Sequence, residues 1–154
     1  MIAQLGVPDN RLAAVGMDLQ VVGSAESPYL AGLRRRYPSV DFVGPVADVF
    51  PYMADARIAL VPDLLGGIKL KGLDYVFNRL PILSMRGGLP GMPLKDHLSY
   101  RLFDTHVSLA EGILSHIDSF DTLNAYHRRA FDACAKAFDW SEIGRQLIAD
   151  MSRA

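Results

Sequence analysis

A parallel α/β sheet with helices on both faces is the fold class this sequence predicts, and three observations predict it. Ala56-Arg57-Ile58-Ala59-Leu60-Val61-Pro62 is near-continuously apolar, as parallel strands covered on both faces tend to be. Strand-like runs alternate with helix-like stretches along the chain, the order that builds βαβ units. Glycine stands at the end of every strand-like run, in Gly23-Ser24, Gly44-Pro45-Val46, Pro62 to Gly67 and Arg86 to Gly91. One glycine per loop is ordinary turn chemistry. Four on the edge where α/β folds bind ligands point to close backbone approach to a ligand.

The elements follow in order. Arg11 to Val15 is a short helix-like segment with an N-cap at Asp9 or Asn10. Leu19-Gln20-Val21-Val22 is a brief apolar strand that Gly23-Ser24 ends. Ser27-Pro28 opens a helix with proline in its first turn, and Pro38 stops it after Tyr37. The basic run Arg34-Arg35-Arg36 closes that helix, where it offsets the dipole and faces water. Val40 to Val46 reads as a strand and a turn, and Asp48 to Asp55 as a short helix with Val49, Tyr52 and Met53 on one side. After the Ala56–Pro62 strand come a glycine loop, a helix, the strand Pro81-Ile82-Leu83-Ser84-Met85 and a second glycine loop. Residues 92–107 are loop-rich with one more strand near Arg101 to Val107. The segment from about 108 to 154 is helical, broken near Asp118 to Asp121 and again at Asp139-Trp140-Ser141. The whole of 1–154 is expected to be one domain, long enough to bury a core.

Composition removes several function classes. The formal net charge of -1 gives no broad pull toward nucleic acid or anionic membrane. A single cysteine, Cys134, excludes an internal disulfide, and its alanine-rich helical setting makes it a buried thiol rather than a nucleophile. No apolar run reaches the length of a membrane span and the start lacks a signal peptide's basic residues, so a soluble, cytoplasmic protein is expected. His97, His106, His116 and His127 fall at no metal-ligand spacing and read as surface residues.

The stretch that carries chemistry is Pro62 to Leu83. A glycine loop, Gly66-Gly67, runs from a buried strand into a helix that opens with Lys69 and Lys71. Unpaired N–H groups and the dipole at a helix start favour an anion. A lysine there opposes the dipole and is commonly just solvated, but a bound phosphate would account for it. At about 100° per residue, Leu70, Leu73, Val76, Phe77 and Leu80 form one apolar arc, with Asp74 about 40° from Leu70 at its margin. A carboxylate in that position is expected to be partly desolvated and able to grip a hydroxyl pair. The alternative for Lys71 is a local ion pair with Asp74. Gly72, unfavourable by roughly 1 kcal/mol inside a helix, is expected to pack closely on a strand.

These residues, Gly66-Gly67-Ile68-Lys69-Leu70-Lys71-Gly72-Leu73-Asp74 through Arg79-Leu80-Pro81-Ile82-Leu83, resemble the nucleotide-sugar motif of group 1 glycosyltransferases of the GT-B fold. That motif reads as a glycine loop, a lysine-containing helix, an acidic residue and then Gly-x-Pro-Val-Val. Leu19 to Gly23, Val40 to Val46, Phe50 to Ala56 and Phe138-Asp139-Trp140-Ser141 are similar to other elements of the family in the same order. The resemblance implies a Rossmann-like, C-terminal half of a GT-B architecture that lacks its first strand. It implies a nucleotide-sugar donor held without a metal cofactor. Asp74 would bind the ribose hydroxyls, Lys69 or Lys71 the diphosphate, the backbone of Gly66, Gly67 and Ile68 the phosphate or sugar, and the main chain at Val46 the base. It assigns no catalytic residue. Asp74 stands where glutamate is usual and is one methylene shorter, and Gly66 stands where many members carry an acidic residue facing the sugar. The acceptor-binding domain is outside the resemblance, so transfer by this chain alone is not expected and self-association through the uncovered interface is.

Three rival readings are weaker. Asp63 ends the core strand as a receiver-domain phospho-acceptor would, but only Glu26 stands near the first strand to help hold magnesium. A dinucleotide-binding domain would show G-x-G-x-x-G after the first strand, which is absent, as is a Walker-type lysine loop. A non-catalytic interaction domain that kept the fold remains as the alternative.

Overall fold

The computed structural model describes residues 12–64, 67 and 69–153. A 3-10 turn over Ala13–Val15 leads into β1 (Leu19–Val22), α1 (Ser27–Arg36), β2 (Val40–Gly44), α2 (Phe50–Asp55) and β3 (Ala59–Val61). Then come α3 (Leu70–Phe77), β4 (Ile82–Met85), β5 (Arg101–Phe103), and three helices, α4 (His106–His116), α5 (Phe120–Ala137) and α6 (Trp140–Met151). All strand pairs are parallel, and helices flank them in the Rossmann-like manner. The N-cap expected at Asp9 or Asn10 lies outside the described residues.

The core shows why the strands read as continuous apolar runs. Ala59 and Val61 of β3, Ile82 of β4 and Leu102 of β5 pack with α3 and α5 residues such as Val76, Ala130 and Cys134. The alternate residues, Leu60, Leu83, Met85 and Phe103, pack with Leu12 and with Leu109 and Ile113 of α4. Successive side chains of a strand point to opposite faces, so a sheet covered twice needs apolar residues at every position.

Among the described residues the strands form two parallel sheets, a β1–β2 pair and a three-stranded β3-β4-β5 sheet. The last strand ends sooner than expected, at Phe103, because Thr105 caps α4. The Thr105 hydroxyl accepts from the Ser108 amide at 3.0 Å, and Ser108 Oγ accepts from the Thr105 amide at 3.2 Å. That reciprocal capping box starts the helix at residue 106.

Three local expectations are corrected by packing. Arg34 does more than face water, since its guanidinium donates to the carbonyls of Phe42 and Val43 at the end of β2. Gly72 is buried against the loop after β4 rather than a strand, where a Cβ would lie 2.5 Å from Leu89 Cδ2 and 2.9 Å from Met92 Sδ. Of the four histidines only His97 is a surface residue, while His106, His116 and His127 are half-buried. Cys134 is fully buried, and burial pushes its thiol up from 9.0 to about 11.

Candidate functional site

Parallel pairing puts the ends of β1 and β2, at Gly23 and Gly44, on one edge of their pair, and the ends of β3 and β4, just before Pro62 and Arg86, on one rim of the three-stranded sheet. The loop from Pro62 to Lys69 leaves that rim and enters α3. Asp63 is the residue that organises it. Its carboxylate pairs with the Lys71 ammonium, so the first turn of α3 is tied back to the end of β3. Lys71 therefore does not pair with Asp74, the partner expected from spacing alone. The Asp63 carbonyl side is packed just as tightly: a Cβ on Gly88 would meet Asp63 O at 3.0 Å, and one on Gly87 would meet Leu64 O at 2.9 Å. Gly87 has φ +83 as well, so glycine is required there for both conformation and space. On the far side, His106 Nε2 lies 3.3 Å from Pro62 O. The first turn of α3, the Gly87-Gly88 loop and the start of α4 thus meet at the end of β3.

The predicted residues fall as follows. Lys69 is the half-buried N-cap position of α3, and Lys71 is half-buried. Gly67 is exposed, with no atom within 4 Å of where its Cβ would be, so the backbone there is open to approach. Gly66 and Ile68 lie outside the described residues. Val46 is half-buried in the loop after β2. Asp74 is exposed rather than partly desolvated. The reason is visible at Leu70, one turn before it, which is itself 73% exposed. The apolar arc is covered over Val76 and Leu80 but open at its Leu70 edge, and Asp74 sits on the open edge. Next to it, burial foremost and then the carboxylates of Asp63 and Asp74 push the Tyr75 hydroxyl above its usual pKa. That ring stays neutral and available as a hydroxyl donor at neutral pH.

Lys71 and Asp74 stand three residues apart on one helix, presenting a cation and a carboxylate to the same rim. Such a pair can meet a diphosphate and a diol at adjacent points. Phe50, Leu64 and Leu70, at the starts of α2 and α3 and in the loop after β3, are 55%, 50% and 73% exposed. Asp63, His106 and the Gly87-Gly88 pair had no place among the expected donor-binding residues. Asp63 carried a signal in its position at the end of the clearest strand and the glycine pair in its loop after β4, while His106 reaches the loop from 44 residues away.

Residues 7–118 match the family described as group 1 glycosyl transferases. The chain belongs to that family. None of the curated proteins matches it. Among solved structures, the Anabaena protein HepE in complex with UDP is similar at a TM-score of 0.74 and 17% identity, over 89% of this chain and 41% of that one. The C-terminal domain of the group 1 glycosyl transferase LpcC from Francisella tularensis is similar at a TM-score of 0.67 and 13% identity, over 79% of this chain and 69% of that one. Sucrose-phosphate synthase from Thermosynechococcus elongatus is similar at 0.66 and 19%, over 90% of this chain and 41% of that one. These identities speak for the fold. This group 1 chain therefore spans about two fifths of HepE. Among the described residues no helix is long and apolar enough to cross a membrane.

Proposed function

We propose that this chain is the nucleotide-sugar-binding domain of a glycosyltransferase that moves a sugar from a nucleoside diphosphate donor to an acceptor. The observation that carries the reading is the rim itself: Lys71 held by Asp63, and Asp74 exposed one turn further along the same helix. In this reading Asp74 accepts from the ribose hydroxyls and Lys69 or Lys71 meets the diphosphate. The backbone of Gly66, Gly67 and Ile68 approaches the phosphate or sugar, and the main chain at Val46 meets the base. Cationic and N–H donors aimed at the diphosphate would stabilise the charge that develops as the sugar leaves, which is how fixed dipoles accelerate such steps. No metal is needed for that role. UDP bound to HepE, and UDP-glucose in a further HepE complex, support a nucleotide-sugar as the ligand.

The acceptor is assigned to a second domain. In this reading the exposed Phe50, Leu64 and Leu70 form the surface on which it would close, excluding water and orienting the acceptor. The isolated domain is expected to transfer no sugar and to self-associate weakly through those residues. A cytoplasmic role in polysaccharide synthesis fits a donor of this kind. Calorimetric titration with UDP, GDP and ADP tests the reading. Binding of one of them supports it, and no heat at millimolar nucleotide would favour a non-catalytic interaction domain. Sugar transfer by the 154-residue chain alone would contradict the division of labour.

A further inference from the structure

At the opposite rim, where β3 and β4 begin, a cavity of about 240 Å³ opens between the C-terminal ends of α2 and α3 and the first turns of α5. Met53, Arg57, Asn78, Arg79, Asn124 and His127 are among the residues that line it, and no carboxylate is among the described lining residues. Arg57 is fixed in place: Nη1 donates to Ile117 O and to Asp118 Oδ1, both at 3.2 Å, and the guanidinium lies 4.9 Å from the Phe120 ring centre.

Arg79 is the unusual residue. Its φ is +61, a left-handed conformation that glycine adopts without strain and that a side-chain-bearing residue resists. It occupies the position just after α3, where the Arg79 amide donates to Val76 O and the Leu80 amide to Tyr75 O. Glycine is the usual solution for that helix ending. An arginine kept there against the strain needs a reason, and strained residues of this kind cluster at ligand sites. Its guanidinium lies 3.3 Å over the Phe131 ring centre and has no carboxylate partner among the described residues.

His127 adds a neutral donor. Its Nδ1 is sealed from solvent with no hydrogen-bond partner among the described residues. Burial first, and then the charges of Arg79 and Arg128, push the imidazole pKa below its usual value. An orphaned acceptor is tolerated better than an orphaned N–H, so the proton sits on Nε2. The ends of α2 and α3 disfavour an anion here, and the start of α5, which Ser119 does not cap with its side chain, favours one. Arg57 and Arg79 line the cavity and no carboxylate is among its described lining residues, although Asp118 pairs with Arg57 and Asp55 and Asp121 stand beside the lining, so the cations decide the sign.

We propose that this cavity is a second ligand site, distinct from the donor rim, that takes a small phosphate monoester. Arg57, Arg79 and His127 line the cavity from three different elements, and with a ligand bound their N–H groups would supply donors to the three oxygens of a phosphate, a better match than a planar carboxylate. The volume is below that of pockets for drug-sized molecules, so the organic part is of glycerol size. Occupancy would bridge α3 and α5 and thereby stiffen the helix that carries Lys71 and Asp74.

The test is calorimetry on the 154-residue chain with sn-glycerol 3-phosphate, and with glycerol as the uncharged match. Glycerol 3-phosphate is expected to bind, glycerol not to, and UDP not to displace it. Arg79→Gly is expected to raise the thermal midpoint by relieving the left-handed strain while weakening glycerol 3-phosphate binding by about tenfold or more. As an independent readout, the His127 ring proton resonances should move on adding glycerol 3-phosphate to the unsubstituted chain. No binding at millimolar ligand, displacement by UDP, unmoved His127 resonances, or equal binding by Arg79→Gly would each overturn the proposal. UDP failing to bind at all would count against the donor reading and leave this test standing.

Discussion

Gly88→Ala is a substitution whose consequence is set by packing against backbone. Gly88 is buried, and a Cβ there would lie 2.6 Å from Ser84 Oγ and 3.0 Å from the carbonyl oxygens of both Asp63 and Met85. Ser84 is fully buried and its hydroxyl is committed, donating to Met85 O at 2.9 Å. The other two neighbours are backbone and cannot swing aside. Overpacking of this kind costs about 1–3 kcal/mol. The loss of unfolded-state freedom on replacing glycine returns about 0.4–1 kcal/mol, leaving about 0–2.6 kcal/mol of net destabilisation, centred near about 1.3 kcal/mol. For a chain of 154 residues that central value lowers the melting midpoint by about 3–5 °C. Gly32→Ala is the matched control: it lies inside α1 with no atom within 4 Å of its Cβ position, so helix propensity alone should stabilise it by about 0.5–1 kcal/mol. Thermal melts followed by circular dichroism read both. A Gly88→Ala midpoint at or above the parent, or a fall for Gly32→Ala, would refute the packing argument.

Asp139→Ala removes the acceptor for the Ser141 and Glu142 amides at 2.9 and 3.2 Å and should cost about 1 kcal/mol, measurable as a lower urea midpoint and faster amide exchange in α6. Cys134 should resist a disulfide reagent at pH 8 in the folded chain and react at once in denaturant, since burial holds its thiol near 11. Because the folded state holds that proton more tightly, its contribution to stability is complete below about pH 9.0 and is lost as pH rises toward about 11. A urea midpoint flat from pH 8.5 to 11 would contradict it. Asp63→Ala should change stability by only about 0–1 kcal/mol, because the Lys71 and Asp63 side chains are 40% and 29% exposed. It should nevertheless weaken UDP several-fold in calorimetry by releasing Lys71.

Much of the scaffold was legible in the sequence because the cues were local. Continuous apolar runs betray strands covered twice, and Asp139 announces α6 by its own side chain. The family resemblance reached the fold. What escaped was decided by which element covers which. A helical wheel puts Asp74 beside Leu70, but the angle cannot tell that Leu70 is left uncovered and that the carboxylate is therefore exposed. The spacing of Lys71 and Asp74 allows a pair, yet the strand end brings Asp63 closer through a loop. The partner of Gly72 is a leucine and a methionine from a loop seventeen and twenty residues on, and no local pattern encodes that contact. Arg34 looked like a dipole offset because β2's terminal carbonyls are not visible in a linear reading.

The central claim is that the rim of β3 and the first turns of α3 bind the nucleotide of a sugar donor. Amide resonances of the labelled chain, followed during titration with UDP, GDP and ADP, test it most directly. One nucleotide is expected to move amides of residues 62–75 and those around Val46, and Asp74→Ala to weaken that binding about tenfold or more. Unmoved resonances at millimolar concentrations of all three, or shifts confined to another face with Asp74→Ala binding as the parent does, would contradict it.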